Sequence, residues 1–152
     1  PSRLLSCWLG DTAVAEARRA VIDTRGGTLV EAELLEFARE VKQPGRVRLL
    51  SDAPERFFVA QSGLVASSGS APDHRANYLA AADSYELAAG SDSLDVPLTW
   101  TDGRGLAVTK TYRFTRGSYL VEVRDTVANS GATPWSGPRR RGGHARDGGN
   151  VA

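Results

Sequence analysis

The sequence predicts a mainly β, antiparallel fold, a sandwich or a barrel, and three observations carry that expectation. Short apolar runs recur along the chain between clusters of Gly, Pro, Ser, Asn and Asp. Between Leu98 and Val127, apolar residues alternate with polar ones across two short reversals, the pattern of consecutive half-buried strands. The 152 residues, 41% hydrophobic and 24% charged, suit one domain with a real core. No apolar run approaches the about 18 residues that a membrane helix needs.

From the amino terminus, LLSCWLG (Leu4–Gly10) is too short for a bilayer and lacks the layout of a signal peptide. With no initiating Met, the chain reads as a fragment of a longer protein. Residues 11–20, DTAVAEARRA, are helix-forming and predict a short helix, marginal at that length. From Ala20 the pattern turns to β with AVID. After the glycine pair, Leu29, Glu31 and Glu33 alternate with Val30, Ala32 and Leu34. Helical spacing of Leu34, Leu35 and Ala38 competes with that strand as far as Glu40. A turn at Gln43–Gly45 leads to VRLLSD from Val47, RFFVAQSG from Arg56, a polar loop over Ser67–Asn77, and Ser84–Trp100.

The meander follows. Asp102-Gly103 predicts a tight hairpin turn. Beyond it Val108, Lys110, Tyr112 and Phe114 share one face, against Thr109, Thr111, Arg113 and Thr115. After a reversal at Arg116–Ser118, Tyr119, Val121 and Val123 oppose Leu120, Glu122 and Arg124. The pattern stops after Trp135, and residues 137–152 hold too little apolar surface to offset the entropy of ordering. That tail is expected to be disordered.

The sharpest chemical question lies in Asp23-Thr24-Arg25-Gly26-Gly27. A glycine pair ahead of a helix can cradle a phosphate on exposed N–H groups. The alternating residues that follow favour a bend between strands, with Asp23 and Arg25 pairing at its surface. His74, beside Asp73 in the polar loop, reads as solvated, and His144 falls in the tail. Ser62 precedes Gly63 without the G-x-S-x-G elbow of a nucleophile. Thr101–Gly105 reads as a hairpin, and Glu31 with Glu33 as a solvated strand face. The single cysteine, Cys7, excludes an internal disulfide framework and a multi-cysteine zinc site. Arg139, Arg140, Arg141 and Arg146 could meet phosphates, but no aromatic residue interleaves them and the rest of the chain is mildly acidic. No catalytic, cofactor-binding or metal-ligating residue is assigned, and no cofactor, small-molecule substrate or nucleic acid is expected.

One resemblance runs through these pieces in order. IDTRGGTLVEAEL, VRLLSD, FFVAQSGL, VPLTWTDG, KTYRFTRGSYLVEV and NSG together resemble the amino-terminal half of the large periplasmic domain of YidC-type membrane protein insertases of Gram-negative bacteria. The resemblance implies an antiparallel β super-sandwich, galactose mutarotase-like and incomplete in this chain. It divides the chain into a non-matching segment at 1–19, a partial sandwich at 20–136, and the Arg/Gly-rich tail at 137–152. It also implies a non-enzymatic, periplasmic accessory role on the inner membrane, assisting insertion and folding through chaperone-like or docking contacts. Nascent inner-membrane proteins and Sec translocon components are the implied partners, on a surface that the residues do not identify. The alternatives are a carbohydrate-binding or carbohydrate-active protein of the mutarotase class and a purely structural domain. Half a super-sandwich leaves strand edges and an apolar face to be covered, so the chain alone is expected to associate or dissolve poorly. A monomer with a sharp, concentration-independent unfolding transition in calorimetry would contradict that expectation.

Overall fold

Residues that alternate in character every second position can serve two surfaces at once, and this chain uses that period to pack two sheets face to face. The computed structural model describes residues 2–9, 18–34, 47–67, 69–137, 139–145 and 150–151. Its strands are β1 (Leu4–Trp8), β2 (Arg18–Asp23), β3 (Thr28–Leu34), β4 (Val47–Leu50), β5 (Phe58–Leu64) and β6 (Ser84–Glu86). They continue as β7 (Ser93–Thr101), β8 (Leu106–Thr115), β9 (Val121–Asn129), β10 (Arg139–Ala145) and β11 (Asn150–Val151). A 3-10 turn at Pro54–Arg56 precedes β5. No helix among the described residues is long and apolar enough to cross a membrane.

The first sheet runs β11-β10-β5-β3-β2-β1-β6, with β4 also on β3, and the second runs β7-β8-β9. All pairs are antiparallel except β1 with β6. The fold is thus the mainly β, antiparallel sandwich that the sequence predicts. Its core joins Leu5, Cys7, Ala20, Ile22 and Leu29 of the first sheet to Val96, Leu98, Tyr112 and Phe114 of the second. Fully burying side chains of this size is worth roughly 1.5–3 kcal/mol each. The β2–β3 pair has a register shift at Val21/Ile22, and the neighbours Leu29 and Val30 are both buried, each on its own face of the strand. Leu29 joins the main core, and Val30 joins Val21 and Val59 in a separate cluster.

Several expectations need correction. Arg18–Ala20 begin β2 rather than end a helix, because β2 is held between β1 and β3 and ladder bonds outweigh a marginal local preference; residues 11–17 lie outside the described residues. Leu4–Trp8 is a strand of the first sheet, so the segment before Ala20 takes part in the sandwich. Competition over Leu29–Leu34 resolves to strand, and residues 35–46 lie outside the described ones. The tail expected to be disordered contains β10, paired from Arg139 opposite Leu64 to Ala145 opposite Phe58. Ladder bonds come from the backbone, so a strand near a sheet margin does not require the apolar residues that the tail lacks.

In the meander, Asp102 does not adopt positive φ. Gly103 and Gly105 do, at 71° and 108°, while the Asp102 carboxylate accepts the N–H groups of Arg104 and Leu106. The hairpin is therefore a longer, side-chain-stapled loop.

Cys7 is fully buried, and loss of hydration pushes its thiol from 9.0 up to about 12. In the folded chain the thiol stays protonated and shielded, so iodoacetamide at about pH 8 is expected to label it only after unfolding. A raised folded value means this contribution to stability is intact below 9.0 and is lost as pH climbs toward 12. Mass spectrometry of alkylation with and without denaturant checks the labelling.

Candidate functional site

The turn between β2 and β3 is where the phosphate question is decided. Gly26 and Gly27 both have positive φ, 73° and 55°, and no helix follows, since β3 starts at Thr28. Their N–H groups are already used: Gly26 donates to the Ala76 carbonyl at 2.7 Å and Gly27 to that of Thr24 at 3.4 Å. The turn is not an anion cradle. Asp23 does meet Arg25, but through the backbone, its carboxylate accepting the Arg25 N–H at 2.9 Å. A Cβ on Gly26 would collide with the His74 carbonyl, so glycine here serves a close approach of two loops.

Two side chains of β8 reach this turn from the opposite sheet. Lys110, 1% exposed, donates from Nζ to the Gly26 carbonyl at 2.7 Å and to the Ser62 carbonyl at 2.8 Å. Its ammonium also lies 5.0 Å from the centroid of the Tyr78 ring. Two residues on, the Tyr112 hydroxyl donates to the Gly27 carbonyl at 2.5 Å. Asp125 of β9 stands opposite Lys110 in the ladder. A buried ammonium is costly unless it is hydrogen-bonded, and here two backbone carbonyls and a ring face receive it. The sequence placed Lys110 on the inward face with Val108, Tyr112 and Phe114 but attached no role to it. A charge at an inward position of an alternating strand was the signal.

The loop before β6 closes the junction. Leu64 donates to the Pro72 carbonyl, Ala76 accepts from Gly26, and Tyr78 donates to the Thr24 carbonyl. Outside it lies a cleft of about 420 Å³ whose lining includes Asp23, Arg25, Gln61, His74 and Arg75 over Val59. The cleft thus gathers residues from the Asp23–Gly27 turn, from β5 and from the polar loop. His74 is exposed there, and no hydrogen bond joins it to Asp23 or Asp52 among the described residues. Acid–base work on a sugar needs such groups within hydrogen-bond reach, so the carbohydrate reading gains no support.

Ser62 is buried, and its Oγ lacks a hydrogen-bond partner among the described residues. A nucleophile needs a neighbouring base and access, whereas the nearby Lys110 ammonium is a donor. Glu33 is buried, not solvated: it accepts from Arg48 at 2.9 and 3.1 Å and lies 4.0 Å from Arg19, which also meets Glu31 at 3.5 Å. No group of three or more His, Cys, Asp or Glu that could hold a metal occurs among the described residues. Arg139, Arg140, Arg141 and His144 belong to β10.

Replacing Lys110 with Met removes the donor from two buried carbonyls and is expected to lower stability by roughly 3 kcal/mol. Tyr112→Phe, which removes one neutral hydrogen bond, is expected to cost about 1 kcal/mol. Urea unfolding at one protein concentration measures both, and an equal, negligible effect would remove Lys110 from this role.

A sequence model described as the YidC periplasmic domain matches residues 14–148, beginning before Ala20 and continuing past Gly137. The chain is 47% identical over 117 residues to a membrane protein insertase YidC of Methylococcus capsulatus, covering 76% of this chain and 21% of that protein. It is 44% identical over 127 residues to the YidC of Thioalkalivibrio sulfidiphilus, with 79% and 23% covered, and 42% identical over 121 residues to that of a Marinomonas species, with 78% and 22% covered. The chain therefore spans about a fifth of the length of these relatives. By the extent of the match and by the fold on which it lies, the chain belongs to the YidC periplasmic domain family.

Proposed function

We propose that this chain is a periplasmic accessory part of a membrane protein insertase and acts through contacts, without catalysis. The observation that carries the reading is the junction around Lys110. The motifs that resemble the family, DTRGG, QSGL and KTYRF, converge there, and their polar groups are spent on holding one sheet to the other. Residues committed in this way support a surface and do no bond-making of their own. The partners are the inner-membrane polypeptides that an insertase handles, met on the periplasmic side, with Sec translocon components as further contacts in the longer protein.

The cleft of about 420 Å³ beside the junction is the place to test for such contacts. With this chain standing in for the corresponding region of an insertase, a photo-reactive side chain at Arg75 is expected to capture an inner-membrane client during its insertion. The same probe at Ala107, on the far side of the second sheet, is the reference. Absence of client adducts from both positions, with insertion yield unchanged when the region is deleted, would falsify the accessory reading.

A further inference from the structure

Asp102-Gly103 is a step at which a peptide chain can react with itself. The Gly103 nitrogen attacks Cγ of Asp102 and gives up its proton, and the Cγ–O bond breaks with loss of water. A five-membered succinimide results. Water then adds at either ring carbonyl: at Cγ it restores aspartate, and at the Asp102 backbone carbonyl it leaves isoaspartate, with the chain running through Cβ and Cγ. The water lost in the first step returns in the second, so nothing else is consumed. Glycine after the aspartate favours ring closure, because no Cβ crowds the attacking nitrogen.

In the folded chain both reacting groups are engaged elsewhere. The Gly103 N–H donates to Thr101 Oγ1 at 3.1 Å. Asp102 Oδ1 accepts from the backbone N–H groups of Arg104 at 2.7 Å and Leu106 at 3.0 Å. The base of the loop is tied as well, since the Asp102 N–H and the Thr101 hydroxyl both donate to the Leu106 carbonyl, at 3.1 and 3.0 Å. At the side, the Gly105 carbonyl accepts from the N–H and the hydroxyl of Ser130 at 2.9 and 3.1 Å. A Cβ on Gly105 would stand 2.6 Å from the Gly131 nitrogen, so the turn after β9 packs directly on this loop. Turning Asp102 Cγ toward the Gly103 nitrogen therefore requires the loop to open, and an opening of this kind populates a small fraction of the folded chains.

We propose that Asp102 is a modification site conditional on unfolding: the folded loop protects it, the unfolded chain converts it to isoaspartate, and a converted chain cannot rebuild the loop. The last step follows from where the carboxylate ends. In isoaspartate it sits directly on Cα while the backbone gains a carbon, so the acceptor and the two N–H groups it served no longer share one register. Leu106, 5% exposed, would then keep a shielded N–H without its acceptor. Chains that fold are spared, and chains that linger unfolded are marked and kept from returning.

Incubation of the whole chain at neutral pH and physiological temperature, in buffer and in guanidinium, tests the proposal. Electron-transfer fragmentation of tryptic peptides distinguishes isoaspartate from aspartate of equal mass. Asp102 falls in the peptide that ends at Arg104, and the other Asp-Gly step, Asp147-Gly148, falls in a separate one. Conversion at Asp102 is expected to be at least about tenfold slower in buffer than in guanidinium. Thr101→Val, which takes away the acceptor of the Gly103 N–H, is expected to raise the rate in buffer several-fold, with circular dichroism showing whether the variant folds. If it does not, the comparison of the parent chain in the two solvents decides. After dilution from guanidinium, isoaspartate at Asp102 is expected to be absent from the folded fraction. Equal rates in buffer and guanidinium, a folded Thr101→Val variant no faster than the parent, or converted chains that regain the parent's urea midpoint would each overturn the proposal.

Discussion

An ammonium group shut between two sheets must find oxygen atoms there, and the oxygen atoms available to Lys110 belong to the backbone of the opposite sheet. Apolar packing alone holds sheets together without fixing how one lies on the other, because hydrophobic contact has no direction. Hydrogen bonds from a charged donor have direction and are worth about 1.5–3 kcal/mol each. Since Nζ contacts both Gly26 and Ser62, one side chain ties the β2–β3 turn and β5 to the centre of β8. Tyr112, on the same face of β8, repeats the tie at Gly27. Sliding either sheet by one residue would leave a buried charge and several carbonyls unsatisfied, so these bonds select the packing that the core side chains then fill.

That constraint explains why the glycines matter without being reactive. Gly26 turns its N–H to the Ala76 carbonyl and its own carbonyl to Lys110, a geometry that positive φ permits and a Cβ would block. At Gly27 a Cβ would sit 3.0 Å from Lys110 Cδ. The pair is shaped by a lysine more than eighty positions away. What resembles a phosphate loop in the sequence is the imprint of that lysine on a turn.

Legibility follows the same division between local and distant causes. The meander from β7 to β9 was readable because its period, its turn glycines and its pairing partners all lie within one stretch of chain. Strand β3 was ambiguous because Glu, Ala and Leu suit a helix too, and pairing with β2, β4 and β5 decides between the two. Strands β1 and β10 were missed, since β10 owes its place to β5, far away in sequence. Lys110 was placed on the correct face by alternation, yet its role needed the position of a distant turn. The acidic pair fared similarly: Glu33 looked solvated until Arg48 and Arg19 arrived from β4 and β2.

The two margins of the second sheet show how the chain limits what joins it. At β7, Leu79 exchanges both backbone bonds with Thr99, at 2.7 and 2.8 Å, and Pro97 two residues away has no N–H to offer. That margin is closed by covering it. At β9 the limit is electrostatic, with Glu122, Arg124 and Asp125 set among valines. Covering a strand excludes every partner, whereas alternating charges exclude only those whose charges do not match. An apolar strand of the same length would accept any extended chain and would aggregate. In β9 the inner charge, Asp125, lies opposite Lys110 in the ladder and keeps this margin polar. Strand β8, which carries the bonds that orient the two sheets, thus lies beside the strand whose charges keep the margin polar.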